Sequence, residues 1–314
     1  MGGDKELYIQ LSNEENDLPL FHKSWWLDAI CREWDAAVVK NGNNVAGVWP
    51  YPLEHKIGIT ISRNPALTPY LGPHVFFPAD LKESKRDNFE HEIISELIKQ
   101  MPPMKVWNAA CRPGLKQIGL FKDSGFRYDF RQTFIMGLEA PEEEILGRLH
   151  EDFRRSIRKA GAEMTITNEP EALPILYEYQ TATLTRKDVR MSYPLRDMER
   201  VFNRCMEHGA CALWVARKQG VVQAILWNMW DKTRAYYLVG SKNPEINDNH
   251  GMTALIWQSI KHSKSLGKIS FDYEGSMVPG VERFFRRFGA ERVLYPVLLK
   301  NDSLIWRVLK AIRK

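Results

Sequence analysis

The chain has 314 residues, 44% of them hydrophobic, and its 44 Lys and Arg against 39 Asp and Glu give a formal charge of +5. That length holds one large core or two ordinary ones, and the small basic excess suits an anionic ligand while falling short of a nucleic-acid-binding surface, which excludes DNA as a partner. No apolar run is long enough to span a bilayer, and the opening MGGDKELYIQLSNEEND has neither the basic start nor the apolar core of a signal peptide, so a cytoplasmic location is expected.

In chain order, WDAAVVKNGNNVAGVWPYP at 34 to 52 reads as a hairpin about an Asn-Gly turn. TPYLGP at 68 to 73 ends an extended segment, a helix covers about 84 to 100, and KVWNAAC at 105 to 111 is a short strand. A helix opening with Pro and Gly, RPGLKQIGLFKDSGF, and a final strand, RQTFIMGL, follow. The stretch PEEEILGRLHEDFRRSIRKAGAEMTI then predicts a helix near 142 to 160, with Ile145, Leu149, Phe153 and Ile157 on one face. Its acids come first and its bases last, which complements the helix dipole and is one explanation of Arg154, Arg155, Arg158 and Lys159.

The series then repeats. GACALWVARKQGVVQAILWNMW at 209 to 230 is a second hairpin; YYLVGSKNP at 236 to 244, a helix over about 250 to 266, KISFDYE at 268 to 274, VPGVERFFRRFG and ERVLYPVLL follow. The offsets agree, 163 from Lys105 to Lys268 and 166 from Pro113 to Pro279. One α/β unit used twice is therefore expected, with mixed sheets carrying helices on both faces: a lobe over 1–138, a linker helix over 139–161, and a second lobe over 162–314. The closing SLIWRVLKAIRK predicts an amphipathic helix that packs on the body or rests on the inner membrane surface. The four cysteines form no Cys-x-x-Cys pair and read as reduced thiols; Cys205, His208 and Cys211 are three residues apart but straddle a helix end and a strand start, so no metal is expected.

The fingerprints of a P-loop, a dinucleotide fold, a hydrolase elbow and a zinc protease are absent. Chemistry instead concentrates in the second repeat. His250, Gly251, Met252 and Thr253 open a helix, where free backbone N–H groups and the positive dipole end form a seat for a pyrophosphate, although the same residues also serve as an ordinary cap and turn. Alternation puts Asp272 and Glu274 on one face of a strand end, and their counterparts in the first repeat are Ala109 and Cys111. That asymmetry points to one catalytic lobe and one lobe kept for acceptor binding or scaffolding.

The second repeat, from its hairpin through YYLVGS and the helix start at His250 to FDYEGS and VPGVERFFRRFGAE, resembles the Gcn5-related N-acetyltransferase (GNAT) fold in the form found in FemAB-like transferases. RRSIRKAGAEMTI resembles that family's Arg-x-x-Ile-Arg-Lys-Ala element, and KSWWLDAI, TPYLGP and GFRYDFRQTFIMGL resemble its amino-terminal copy. The resemblance implies acyl transfer from acyl-CoA to the amine of an amino sugar, a cell-envelope or polysaccharide precursor, or a small metabolite. Aminoacyl transfer from tRNA to a peptidoglycan precursor, or a noncatalytic binding protein, are the alternatives. The long helical arm of some peptidoglycan-bridge enzymes has no counterpart here, which weakens the tRNA alternative. By resemblance, YYLVGS and FDYEGS border the reaction centre. Glu274 or Asp272 is then the base, with a salt bridge to the Arg-rich helix as their structural alternative. Tyr237, or Tyr236 or Tyr273, gives a proton to the leaving group; Arg286, with Arg283 and Arg287, meets donor phosphates; and Arg154, Arg158, Arg186, Arg190 and Tyr193 hold an anionic acceptor.

Overall fold

The computed structural model describes residues 4–14, 17–56, 58–275, 277–303 and 306. Most of the closing SLIWRVLKAIRK stretch therefore lies outside the described residues. In chain order the elements are α1 (Asp4–Glu14), α2 (Ser24–Ile30), β1 (Trp34–Asn41), β2 (Asn44–Pro52), β3 (Glu54–Lys56), β4 (Ile59–Arg63), β5 (His74–Val75), α3 (Glu83–Gln100), β6 (Val106–Ala110), α4 (Ile118–Asp123) and β7 (Arg127–Gly137). They continue with α5 (Glu142–Arg148), α6 (Glu151–Glu163), β8 (Thr165–Asn168), α7 (Leu173–Thr185), α8 (Leu195–Glu207), β9 (Cys211–Lys218), β10 (Val221–Trp230), β11 (Arg234–Lys242), α9 (His250–Ser265), β12 (Ser270–Asp272), α10 (Pro279–Arg286) and β13 (Glu291–Asn301). The fold is α/β with mixed sheets and helices on both faces.

The chain forms two compact units, Met1–Arg131 with Leu294–Lys314, and Gln132–Val293. In the first, β1 and β2 pair as the expected hairpin, and β4 lies parallel to β6, which pairs antiparallel with β13. Helix α3 buries Ile93, Ile94 and Leu97 in a core with Trp49, Trp107 and Phe121. Gly47 is what lets α3 approach β2, because a Cβ there would sit 2.2 Å from Ile93 Cγ2.

In the second unit the order is β7-β12-β11-β10-β9-β8, with β12 parallel to β11 and antiparallel to β7. Strict alternation explains the two layers. Ala212, Ala216, Ala224, Leu226 and Ala235 face α9 through Met252, Leu255, Ile256 and Ile260, the small alanines allowing close approach. On the opposite face α7 lies against β11 and α8 against β9, and Phe202 of α8 meets Trp227 edge-on at 5.3 Å. The β9–β10 turn carries positive φ at both Gln219 and Gly220, a type I′ geometry that fits the twist of the strands.

Two features depart from the sequence reading. The helix expected near 142 to 160 is two helices, because Leu149 and His150 are extended, with ψ of 145° and 144°. The break is stabilised: Arg154 donates to the carbonyls of Gly147 and Leu149 at 2.8 and 3.0 Å, and His150 accepts from the Asp152 N–H. The closing strands are also exchanged relative to the repeats. RQTFIMGL, last in the first repeat, pairs with β12 in the second unit, and β13, last in the second repeat, pairs with β6 in the first.

Candidate active site

The centre of the second unit is a parting of two parallel strands. β11 and β12 pair only over Arg234–Tyr236 and Ser270–Asp272, after which β11 runs on to Lys242 while β12 ends. Among the described residues no strand covers that edge of β11 from Tyr237 onward. A bulge adds to the opening: the register against β10 shifts between Trp227 and Asn228, leaving Leu238 without an opposite residue.

A cleft of about 420 Å³ lies along this edge. Tyr237, Gly240, Ser241 and Lys242 of β11 form one wall, Asn249 and Met252 the start of α9, Thr183, Arg186 and Lys187 the end of α7 and the residues after it, and Gly280, Val281, Phe284 and Phe285 of α10 an apolar wall. The Phe-rich helix is held by ring contacts within the unit: Phe285 meets Tyr237 at 5.3 Å and Tyr273 at 5.4 Å, and Phe288 meets Phe153 at 4.7 Å. The cleft is thus apolar along α10 and cationic opposite it. Arg186 donates to Pro244 O and Glu245 Oε1 at 2.6 and 2.8 Å, and Lys242 Nζ donates to Asn247 O and Asp248 O at 2.7 and 3.1 Å. These two cations fasten the loop before α9. Burial lowers the pKa of Lys242, opposed by the Asp248 charge.

Tyr237 projects toward α9 and α10, where its hydroxyl has the Met252 thioether at 3.8 Å. Burial raises the pKa of this phenol, so it is a neutral O–H donor with a weak acceptor. At the α9 start, Asn249 makes no side-chain cap; Asp248 Oδ1 accepts from the His250 N–H at 2.9 Å, and His250 Nδ1 lies 3.0 Å from Ser156 Oγ. The Gly251 and Met252 N–H groups fall in the first turn, beyond the reach of intrahelical carbonyls. The Gly251 Cα faces the sheet instead of the helix end: an added Cβ would lie 3.1 Å from Gln223 Cβ and 3.4 Å from Ala224 Cβ. Thr253 is buried, and its N–H donates to Asn249 O at 2.9 Å.

The two carboxylates occupy different environments. Asp272 is fully buried; it accepts from Thr133 Oγ1 at 2.5 Å and from the Glu274 N–H at 2.9 Å, and Arg234 Nη1 of β11 lies 3.7 Å away. Its ionic partner is thus on β11, not on α10. Glu274, two residues beyond the last paired residue of β12, is half-buried with φ +55°, and its Oε1 is sealed from solvent with no hydrogen-bond partner among the described residues. Desolvation, reinforced by the neighbouring Asp272 charge, raises the Glu274 pKa well above the ordinary carboxylate range. Asp272 therefore anchors the turn that carries Glu274.

The structure brings Tyr237, Met252 and Arg186 together in the cleft, while the other expected residues lie outside its lining. Arg154 caps α5, and Arg287 pairs with Asp152 and stacks 4.8 Å over Phe153. Tyr193 is buried, its hydroxyl donating to Gln180 Oε1 at 3.0 Å. Arg158, Arg190, Arg283 and Arg286 are exposed. Lys242, Lys187, Thr183 and Asn249 escaped the sequence reading; the signal that could have found Lys242 is its place between a strand end and the loop feeding a helix start.

The first unit has the same strand parting, closed. β4 and β6 pair in parallel over Ile61–Arg63 and Val106–Asn108, and the next residue, Asn64, fills the opening. Its Oδ1 accepts from the Ala110 N–H at 3.1 Å, and its Nδ2 donates to Ala110 O at 3.1 Å and Thr68 O at 3.2 Å. The Leu71 N–H of TPYLGP also donates to Ala110 O, at 2.8 Å.

Residues 147–286, which span the parted strands, the bulge and the helix start beside the opening, match the family model of the acetyltransferase (GNAT) domain. The match lies within the second unit and supports an acyltransferase, and the chain as a whole shares the fold of FemX. In structure it is similar to FemX, with a TM-score of 0.69 at 12% identity over 98% of both chains. It is also similar to the C-terminal domain of a putative lysylphosphatidylglycerol synthetase from Agrobacterium fabrum (TM-score 0.58, 12% identity, 98% of this chain and 96% of that one). A third likeness is to L-PGS from Bacillus licheniformis (TM-score 0.52, 11% identity, 99% and 96%). No curated protein matches the sequence significantly.

Proposed function

We propose that the chain is an N-acyltransferase whose second unit takes an acyl thioester of the CoA type into the opening beyond Tyr236 and Asp272 and passes the acyl group to an amine. The observation that carries this reading is the uncovered β11 edge lining a cleft with one apolar and one cationic wall. A thioester with an anionic tail matches that division, its phosphates toward Lys242, Lys187 and the free N–H groups of Gly251 and Met252, its acyl end toward Tyr237 and α10.

In the step itself the neutral amine attacks the thioester carbonyl, whose developing oxyanion is stabilised by backbone N–H groups of the opened edge, and the C–S bond breaks. The proton leaving nitrogen passes through water to Glu274 in its ionised form, and the Tyr237 hydroxyl protonates the departing thiolate. Asp272 is a positioning residue. The first unit, its opening occupied by Asn64, serves acceptor binding or scaffolding in this reading. The acceptor class is an amine on an amino sugar, an envelope or polysaccharide precursor, or a small metabolite, handled in the cytoplasm; among the described residues no helix is long and apolar enough to cross a membrane. Titration calorimetry with CoA and acetyl-CoA tests the donor. Saturable binding is expected, and no heat at millimolar ligand would end the reading. An aminoacyl ester on tRNA demands the same opening; it would reveal itself as RNA binding that weakens steeply with salt.

A further inference from the structure

The cleft rim carries apolar side chains that the transfer chemistry does not use. Just before α10, consecutive Met277 and Val278 are 64% and 54% exposed, and Gly280, two residues on, already lines the cleft. Across the opening, Val189 is 49% exposed two residues after Lys187, another lining residue. Single exposed aliphatics are ordinary, but paired ones at a loop tip need a partner that offers an apolar medium.

The charges around them are mainly basic, the exposed Asp188 between Lys187 and Val189 being the acid on that rim. Arg283 and Arg286, one turn apart on α10, are exposed and without an ion-pair partner among the described residues, as are Lys187 and Arg190 on the other rim. The acid of α10, Glu282, is already paired with Arg292 at 2.5 Å. Aliphatic tips ringed by uncompensated cations suit a surface with anionic headgroups above acyl chains.

We propose that this rim docks on an anionic phospholipid bilayer, Met277 and Val278 entering the headgroup layer and Arg283 and Arg286 meeting lipid phosphates. Resting on the reading of the cleft as the transfer site, this makes the acceptor a membrane-anchored amine, presented where the cleft opens.

The test is co-sedimentation of the full chain with vesicles of phosphatidylcholine alone or with about one-third phosphatidylglycerol. Partition onto the anionic vesicles only, weakened on raising salt, is expected. Met277→Ser with Val278→Ser should weaken partition about tenfold or more, and Arg283→Gln about fivefold on anionic vesicles. Wild-type protein that ignores anionic vesicles overturns the proposal. So does wild-type binding that both variants retain, which would place the contact elsewhere, for example in the closing basic stretch. CoA titration of the same proteins separates the two readings: vesicle binding without CoA binding sinks the donor assignment alone, and CoA binding without vesicle binding sinks the docking alone.

Discussion

Gly275→Ala offers a severe test of how the reaction centre is held. Gly275 has φ +54°, and a Cβ there would lie 2.0 Å from Gln132 O and 2.5 Å from Thr133 Cα, both backbone atoms of β7 that cannot swing aside. A left-handed conformation costs a non-glycine residue about 1–2 kcal/mol, and forcing a methyl into packed surroundings costs typically 1–3 kcal/mol more. The expected loss is thus about 2–5 kcal/mol. Gly267→Ala is the matched control, because Gly267 has φ +72° but nothing within 4 Å of its Cβ position, leaving the conformational cost alone. Urea denaturation of the two variants isolates the steric part as their difference, expected at about 1–3 kcal/mol. If Gly275→Ala proved no less stable than Gly267→Ala, the close approach of the turn to β7 would be refuted, and with it the account of how Asp272 and Thr133 fix Glu274.

Three further outcomes follow. Glu274→Gln should lower kcat by about 100-fold to 10,000-fold with CoA affinity nearly unchanged; in the wild type the rate should rise with pH through a limb lying above the ordinary carboxylate range, since the base must be ionised and its pKa is raised, and a wild-type profile without that limb would remove Glu274 from the role. Asn64→Ala strips the Ala110 N–H of its partner, leaves the Ala110 carbonyl with the Leu71 N–H, and should cost about 1–3 kcal/mol in denaturation while sparing CoA affinity, whereas a loss of CoA binding in a folded variant would move the donor site toward the first unit. Glu169 is held below its usual pKa first by its hydrogen bonds from Arg217, so the stability it contributes is present above the unfolded carboxylate pKa and lost as pH falls through its folded value. Glu169→Gln should cost about 1–3 kcal/mol at pH 7, and the gap from wild type should close in acid; a gap constant down to pH 2 would show that charge is not the cause.

Much of this was written in the sequence. Period-two alternation and Asn-Gly or Gln-Gly turns marked both hairpins, and the helix start at His250 stood where the apolar pattern changed period. What escaped was anything decided by a third element. Alternation treats Asp272 and Glu274 alike, yet the first meets Thr133 and Arg234 from neighbouring strands and the second is turned aside by its left-handed backbone. Gly251 resembled a phosphate-loop glycine, but its Cα is set against Gln223 and Ala224, so an Asp there would be driven into the sheet and cost stability as well as donor binding. The break at Leu149 and His150 lacks a proline or terminal glycine and depends on Arg154 and Arg287, charges that read on paper as a solvated face.

The exchanged closing strands set the order in which the molecule can be made. The second unit is one uninterrupted run, Gln132–Val293, and the strands from β8 to β12 all lie inside it. The first unit, although begun first, waits for Leu294 onward, because β6 lacks its β13 neighbour until nearly the whole chain exists. Its loops close over a span of close to 190 residues, the slow kind of contact, and until then β6 presents an open edge. Nascent chains should thus carry the second unit ahead of an unfinished first unit, and a ribosome stalled before residue 294 would display a strand edge for chaperones or other chains to capture.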